Sequence, residues 1–189
     1  MIFHRLGLIN KNQLGFTLIE IMLVIAITGI ITGGFTMTIF QVIDGNIRTS
    51  NHMTAVRQVQ SAGYWVSHDA QMAQKVDATG ASGFLTLTWV GWEYKCVDNT
   101  CIDVYEVCYT YDGASGKIQR HQKITTNKYD AEGHLVGTTK PENLSCVAQY
   151  IAHTPTVTMD GNELTVVITA SVGEAEEERT YEITPRASP

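Results

Sequence analysis

The chain of 189 residues is 44% hydrophobic and 17% charged, with a net charge of −6 and a pI near 5.4. That balance excludes collagen-like, low-complexity and highly charged disordered chains, and a polytopic membrane protein would be far more apolar. The acidic balance also argues against a general nucleic-acid binder, because phosphates demand a basic surface.

The average hides an uneven distribution. Residues 1–15 carry Arg5 and Lys11 and no acid, and residues 16–43 carry Glu20 as their only charge. The excess of acid lies beyond. Phe16–Phe40 is a 25-residue, mostly apolar run. As a helix it reaches roughly 37 Å, enough to cross a hydrocarbon core of about 30 Å. Two alternatives are a buried core helix and a secretory signal peptide. A domain this small has little use for so uniformly apolar a core helix. A signal peptide needs an A-x-A-like site after its apolar core, whereas this run continues into Gln41-Val-Ile-Asp-Gly-Asn46. Glu20 is the exception inside the run. A carboxylate costs about 2.5–3.5 kcal/mol at mid-membrane, so it calls for a partner cation. Gly29-x-x-x-Gly33 has the small-residue spacing that lets membrane helices approach closely.

Gln13-Leu-Gly15 followed by Phe16-Thr-Leu-Ile-Glu20 and the long apolar run resembles the processing and methylation site of type IV prepilins and type II secretion pseudopilins. The resemblance implies cleavage between Gly15 and Phe16 by a cytoplasm-facing prepilin peptidase, then methylation of the new Phe16 amine. It also assigns Glu20 to charge pairing with the Phe16 amine of a neighbouring subunit, which would offset the burial cost of both charges. The chemistry agrees, since Gly15 offers a protease no obstructing side chain.

Past residue 43 the pattern turns amphipathic. Val59, Ala62, Val66, Asp69, Ala73 and Val76 recur at spacings of three and four, with Asp69 the break in an apolar stripe. The pattern predicts a helix continuing to about residue 76, with a bend at Asp44-Gly45-Asn46. A helix that begins in the membrane and ends packed on a sheet is what the pilin resemblance implies. Asp77–Gly83 then supplies turn residues, and the period changes to two. The predicted strands are 84–94, 102–111, 117–125, 156–159, 163–171 and 179–184. Asp112-Gly113, Asp160-Gly-Asn162 and the acidic run 173–178 are read as hairpin turns. The acidic run lacks the ligand order of a calcium loop. The hairpin pattern of Val104–Arg120 is similar, more weakly, to the sheet region of J-type minor pseudopilins.

The cysteines are Cys96, Cys101, Cys108 and Cys146. All fall in the part expected outside the cytoplasm, where disulfides persist, and three pairings are open. Cys96 and Cys101 bracket a turn, which favours a Cys96–Cys101 bridge and leaves Cys108–Cys146. The spacings lack the paired C-x2-C knuckles of structural zinc, so no metal is expected. Nor is a catalytic constellation expected. Ser67-His68-Asp69 has triad residue types, but consecutive helix residues point about 100° apart. Trp89, Trp92 and the tyrosines of 94–111 read as cross-strand pairs.

The expected architecture is therefore α+β and pilin-like, with a long N-terminal helix packed on a C-terminal antiparallel sheet domain. Its parts are a leader (1–15), a transmembrane and assembly helix (16–43), an amphipathic continuation (44–76) and an extracytoplasmic β-rich domain (77–189). The expected role is that of a non-enzymatic minor pilin or pseudopilin without cofactors, single-pass in the cytoplasmic membrane with its N-terminus inside. Its expected partners are other pilins, the prepilin peptidase/methyltransferase and a membrane assembly platform. The alternative is a filament-tip or surface-anchored binding module for adhesion or DNA uptake, the latter resting on a basic stretch from Lys117 to Lys128.

Overall fold

The computed structural model describes residues 16–79, 83–91, 101–129 and 135–186, with backbone alone for 101–102, 128–129 and 135–139. The chain divides into two compact units between Asn46 and Ile47. Helix α1 (Leu18–Met72) supplies the helical part of both. The pattern Thr17-x-x-Glu20 at its start matches a capping box, and the Thr17 carbonyl accepts from the Glu20 and Ile21 amides at 3.0 and 3.3 Å. Every residue of the first unit's helix is exposed, as a span that meets lipid must be. Its threonines bond back into the helix. Thr28 Oγ1 donates to the Val24 carbonyl at 2.7 Å, Thr36 to Thr32 at 2.8 Å and Thr38 to Gly34 at 3.0 Å. No hydroxyl of these three is left to face hydrocarbon unpaired. Asp44-Gly45-Asn46 has helical backbone. A lone glycine costs a helix about 1 kcal/mol, which helical hydrogen bonds on either side can absorb.

In the second unit α1 buries Val59, Ala62, Val66 and Asp69 of the stripe legible in the spacing, and Ala55 and Ala70 beside them. The helix ends at Met72 rather than at about residue 76. The reason is tertiary. Gln74 N donates to the Thr88 carbonyl at 2.9 Å, and Lys75–Asp77 becomes edge strand β1 against β2 (Leu85–Val90). Strands β3 (Cys101–Asp112) and β4 (Lys117–Tyr129) extend this antiparallel sheet in the order β1-β2-β3-β4. Two further strands, unforeseen in the sequence, share β4. Its far half (125–129) pairs β5 (Leu135–Thr139), and its near half (118–122) pairs β6 (Asn143–Ala148).

The β3–β4 turn is set by Asp112. Its carboxylate accepts from Ala114 N at 3.0 Å and Ser115 Oγ at 2.5 Å, and Gly116 takes the left-handed φ of +61° that closes it. The Ser115 hydroxyl above all, then the Ala114 amide, hold the Asp112 carboxyl below the usual carboxylate range.

A second antiparallel sheet, β7 (Thr156–Asp160), β8 (Glu163–Val172) and β9 (Ala175–Ile183), completes the unit. The acidic run is only partly a turn. Glu176, Glu177 and Glu178 pair with Ser171, Ala170 and Thr169 as the start of β9, and the tip is confined to Gly173-Glu174. Strand pairing wins here because the glutamate side chains of a sheet edge can remain in water while their backbone bonds to β8.

The core joins the helix stripe to the inner faces of both sheets. Leu85, Leu87, Val107, Tyr109 and Ile118 come from the first, and Leu164, Val166, Ile168 and Ala170 from the second. Gly63 marks the closest approach. A Cβ there would lie 2.0 Å from Tyr181 Cζ, and the Tyr181 hydroxyl donates to the Val59 carbonyl at 3.0 Å.

The expected Cys108–Cys146 bridge is not formed, and both thiols are free. Strand β4 explains this. Cys108 faces His121 on one side of it, and Cys146 faces Gln119 on the other. Two strand spacings are about 10 Å, beyond the Cα separations of about 4.4–6.8 Å that a disulfide spans. Cys96 and the Cys101 side chain, the other expected bridge, lie outside the described residues.

Candidate functional site

Gly15 also lies outside the described residues. Phe16 precedes the first turn of α1 and is exposed, and Glu20 follows in that turn. The N-terminal end of a helix carries partial positive charge, so it favours a carboxylate in its first turn. Gly29 and Gly33 lie on one face with Thr28, Thr32 and Thr36, and an added Cβ at either glycine would meet nothing within 4 Å. These small residues leave a shallow stretch between Val24, Ile25, Met37 and Phe40, the kind of surface that close approach by another helix uses.

The second unit has its own polar centre, built on the residue that broke the helix stripe. Asp69 is 1% exposed, and Arg120 on β4 is 7% exposed. Arg120 Nε donates to Asp69 Oδ2 at 2.7 Å and Nη2 to Oδ1 at 3.1 Å, a bidentate pair. The Tyr109 hydroxyl donates to Oδ2 at 2.5 Å, and Gln122 Oε1 accepts from Arg120 Nη1 at 2.9 Å. The Arg120 guanidinium also lies 5.2 Å from the Trp65 ring centre, within cation–π range. Burial, then the Asp69 charge and hydrogen bond, push the Tyr109 phenol far above its ordinary value. Burial works to lower Arg120, but the Asp69 hydrogen bonds and charge outweigh it and raise it. With partners on both oxygens this pair fastens the helix to the sheet.

His68 Nδ1 does come within 3.4 Å of Asp69 Oδ1, closer than consecutive helix positions suggest. Ser67 does not join them. Asp69 is committed to Arg120 and Tyr109, so the three residues form no relay.

Beside this pair a cavity of about 460 Å³ opens between the end of α1 and the inner face of the first sheet. His68, Asp69, Gln71 and Met72 line it from the helix. Trp89, Asp103, Tyr105, Arg120 and Gln122 line it from the sheet, and Arg186 from the segment after β9. Trp89 and Tyr105 are register partners and stack with ring centres 5.5 Å apart and planes 1° apart. The expected cross-strand pairing of these aromatics is thus observed for this pair, while Trp92 lies outside the described residues. Sequence reasoning singled out Trp89 and Asp69 but not the cavity. Its signals were weak, namely a lone acid in an apolar stripe and a lone arginine in an alternating strand.

The described side chains of the basic stretch 117–128 divide between the two faces of β4. Arg120 points inward to Asp69. On the outer face His121 Nδ1 meets Glu142 Oε1 at 2.9 Å, and Lys123 lies 4.0 Å from Glu106. Alternation along β4 splits the charges between faces, and neighbouring acids pair two of them.

Residues 10–36 match a protein family described as the prokaryotic N-terminal methylation motif. No curated protein and no solved structure matches the chain. Helix α1 is long and apolar enough to cross a membrane once. With this motif at the start of that helix and antiparallel sheets packed on its second half, the chain carries the N-terminal signature and the architecture of a type IV pilin-like prepilin, and among the described residues one helix is long and apolar enough to anchor it in a membrane.

Proposed function

We propose that the chain is a minor pilin- or pseudopilin-type subunit, stored in the cytoplasmic membrane and drawn into a type IV pilus-like or type II secretion filament. Residues 1–15 act as the leader, cleavage falls between Gly15 and Phe16, and the Phe16 amine is methylated. Residues 16–43 form the assembly helix and residues 77–189 lie outside the cytoplasm. Its partners are the prepilin peptidase/methyltransferase, other pilins and a membrane assembly platform, and its work is structural. The observation that supports this reading is the exposed helix of the first unit, whose apolar stretch 18–43 carries Glu20 as its one carboxylate, in the first turn and within the matched methylation motif. There it is placed to pair with a neighbour's Phe16 ammonium, so that two charges costly in lipid bury each other.

Mass spectrometry of the membrane-extracted protein tests the reading. The expected mature chain begins at a methylated Phe16, and any other N-terminus defeats it. The cleft beside Asp69 supports a second role for the same subunit, as a binding module displayed by the filament. Arg120, His121 and Lys123 of the basic stretch on β4 each meet an acid, which weighs against DNA as its ligand.

A further inference from the structure

We propose that the cavity between the end of α1 and the first sheet is a binding site for a neutral pyranose, a single sugar ring of a glycan or a free sugar. Its size lies within the range of small-molecule sites, about 300–1,000 Å³. Two kinds of group converge on it. The first is the stacked pair Trp89 and Tyr105. The electron-rich faces of such rings attract weakly positive C–H bonds, and one face of a pyranose is a sheet of C–H bonds. The second is a set of planar polar groups with capacity to spare. Asp103 is 4% exposed yet lines the cavity. Its Oδ1 accepts from Thr126 Oγ1 at 2.5 Å, and its Oδ2 has the Lys140 ammonium at 4.0 Å, beyond hydrogen-bond length. A carboxylate has about four acceptor positions, so Asp103 can still take hydroxyl donors from a ligand. The Gln122 carboxamide spends its oxygen on Arg120, and its two N–H donors meet no acceptor among the described residues. Acceptor and donor amide side by side suit adjacent sugar hydroxyls, each of which both gives and takes a hydrogen bond.

Charge decides between ligand classes. Two carboxylates line the cavity, Asp69 and Asp103, and two guanidinium groups line it with them, Arg120 and Arg186. The lining carboxylates are matched by cations, which favours a neutral ligand over a phosphate or an amine. An amine on Asp103 over the Trp89 face is the strongest rival.

The test uses the full chain in lipid nanodiscs, since glycoside detergents would compete. Saturation-transfer NMR and tryptophan fluorescence are recorded with methyl glucoside, methyl galactoside, methyl mannoside and N-acetylglucosamine up to about 10 mM, above the millimolar range of weak ligands. The expected result is saturable binding of at least one sugar, with transfer strongest to the C–H protons of one ring face and no loss in high salt. Asp103→Asn keeps the shape and the Thr126 bond, and weakens binding by about tenfold by removing a charge-assisted acceptor. Gln122→Ala weakens it by a second route, so failure of one variant to fold leaves the other decisive. Absence of binding by all four sugars overturns the proposal, as does binding that neither variant changes. Capture of spermidine instead, released by salt, also overturns it and assigns the cavity to amines. None of these outcomes depends on where the N-terminus is processed or on filament assembly.

Discussion

Asp69 is where one residue has the largest consequence. A carboxylate on the buried face of a helix is tolerated because Arg120 and Tyr109 meet it with three hydrogen bonds. Removing one partner strands the other charge in a buried position. Asp69→Ala or Arg120→Leu is therefore expected to destabilise the second unit by about 3–5 kcal/mol, read as a shift of the denaturant midpoint. The double variant is expected to cost much less than the sum of the singles, because neither charge is then left alone. Tyr109 adds a pH dependence. Its phenol is pushed up by burial and by Asp69, so the folded state holds a proton that the unfolded chain gives up near pH 10. The contribution is fully present below about pH 10 and is lost as pH rises beyond it. Denaturant midpoints should fall from about pH 9.5 to 11, and Tyr109→Phe should flatten that fall.

At the scale of elements, the contact between α1 and the second sheet turns on Gly63. Alanine is the better helix former by about 1 kcal/mol, so an exposed glycine-to-alanine change would stabilise. At Gly63 the new methyl would collide with the Tyr181 ring, which is pinned by its bond to the Val59 carbonyl. Overpacking wins, and Gly63→Ala should lower stability by about 1–3 kcal/mol. Adding Tyr181→Ala should recover part of that loss, a coupling that thermal melts of the single and double variants would read. The ends of α1 show how elements compete. Ala73 and Val76 fit the helical spacing, but the chain leaves the helix after Met72 because edge pairing of β1 with β2 satisfies its backbone while Val76 still packs partly buried on the core. The cysteines follow from the same strand order, since β4 between β3 and β6 keeps Cys108 and Cys146 apart.

At the scale of the whole molecule the two units bear different duties. The first makes a span whose apolar side chains face outward, and the second makes a core without it. Glu20→Ala should therefore leave the melting of the second unit unchanged while abolishing co-purification with other prepilins. Loss of both together would mean that Glu20 serves the fold instead.

The sequence by itself determined what depends on near neighbours in the chain. A helix apolar enough to span needs only consecutive apolar residues, the methylation motif needs only residues 10–36, and the stripe of Val59, Ala62 and Val66 needs only helical spacing. The turns at Asp112-Gly113 and Asp160-Gly161 were legible for the same reason, because a local side-chain bond or a glycine at positive φ suffices. Tertiary structure decided whatever joins distant residues. Asp69 meets Arg120 across 51 positions, and β6 is recruited by β4 although its own alternation is faint. The cavity exists only where the helix end, the sheet and the segment after β9 converge. Such contacts carry no local signature, because their stability comes from burying groups together whose separation along the chain is set by topology alone.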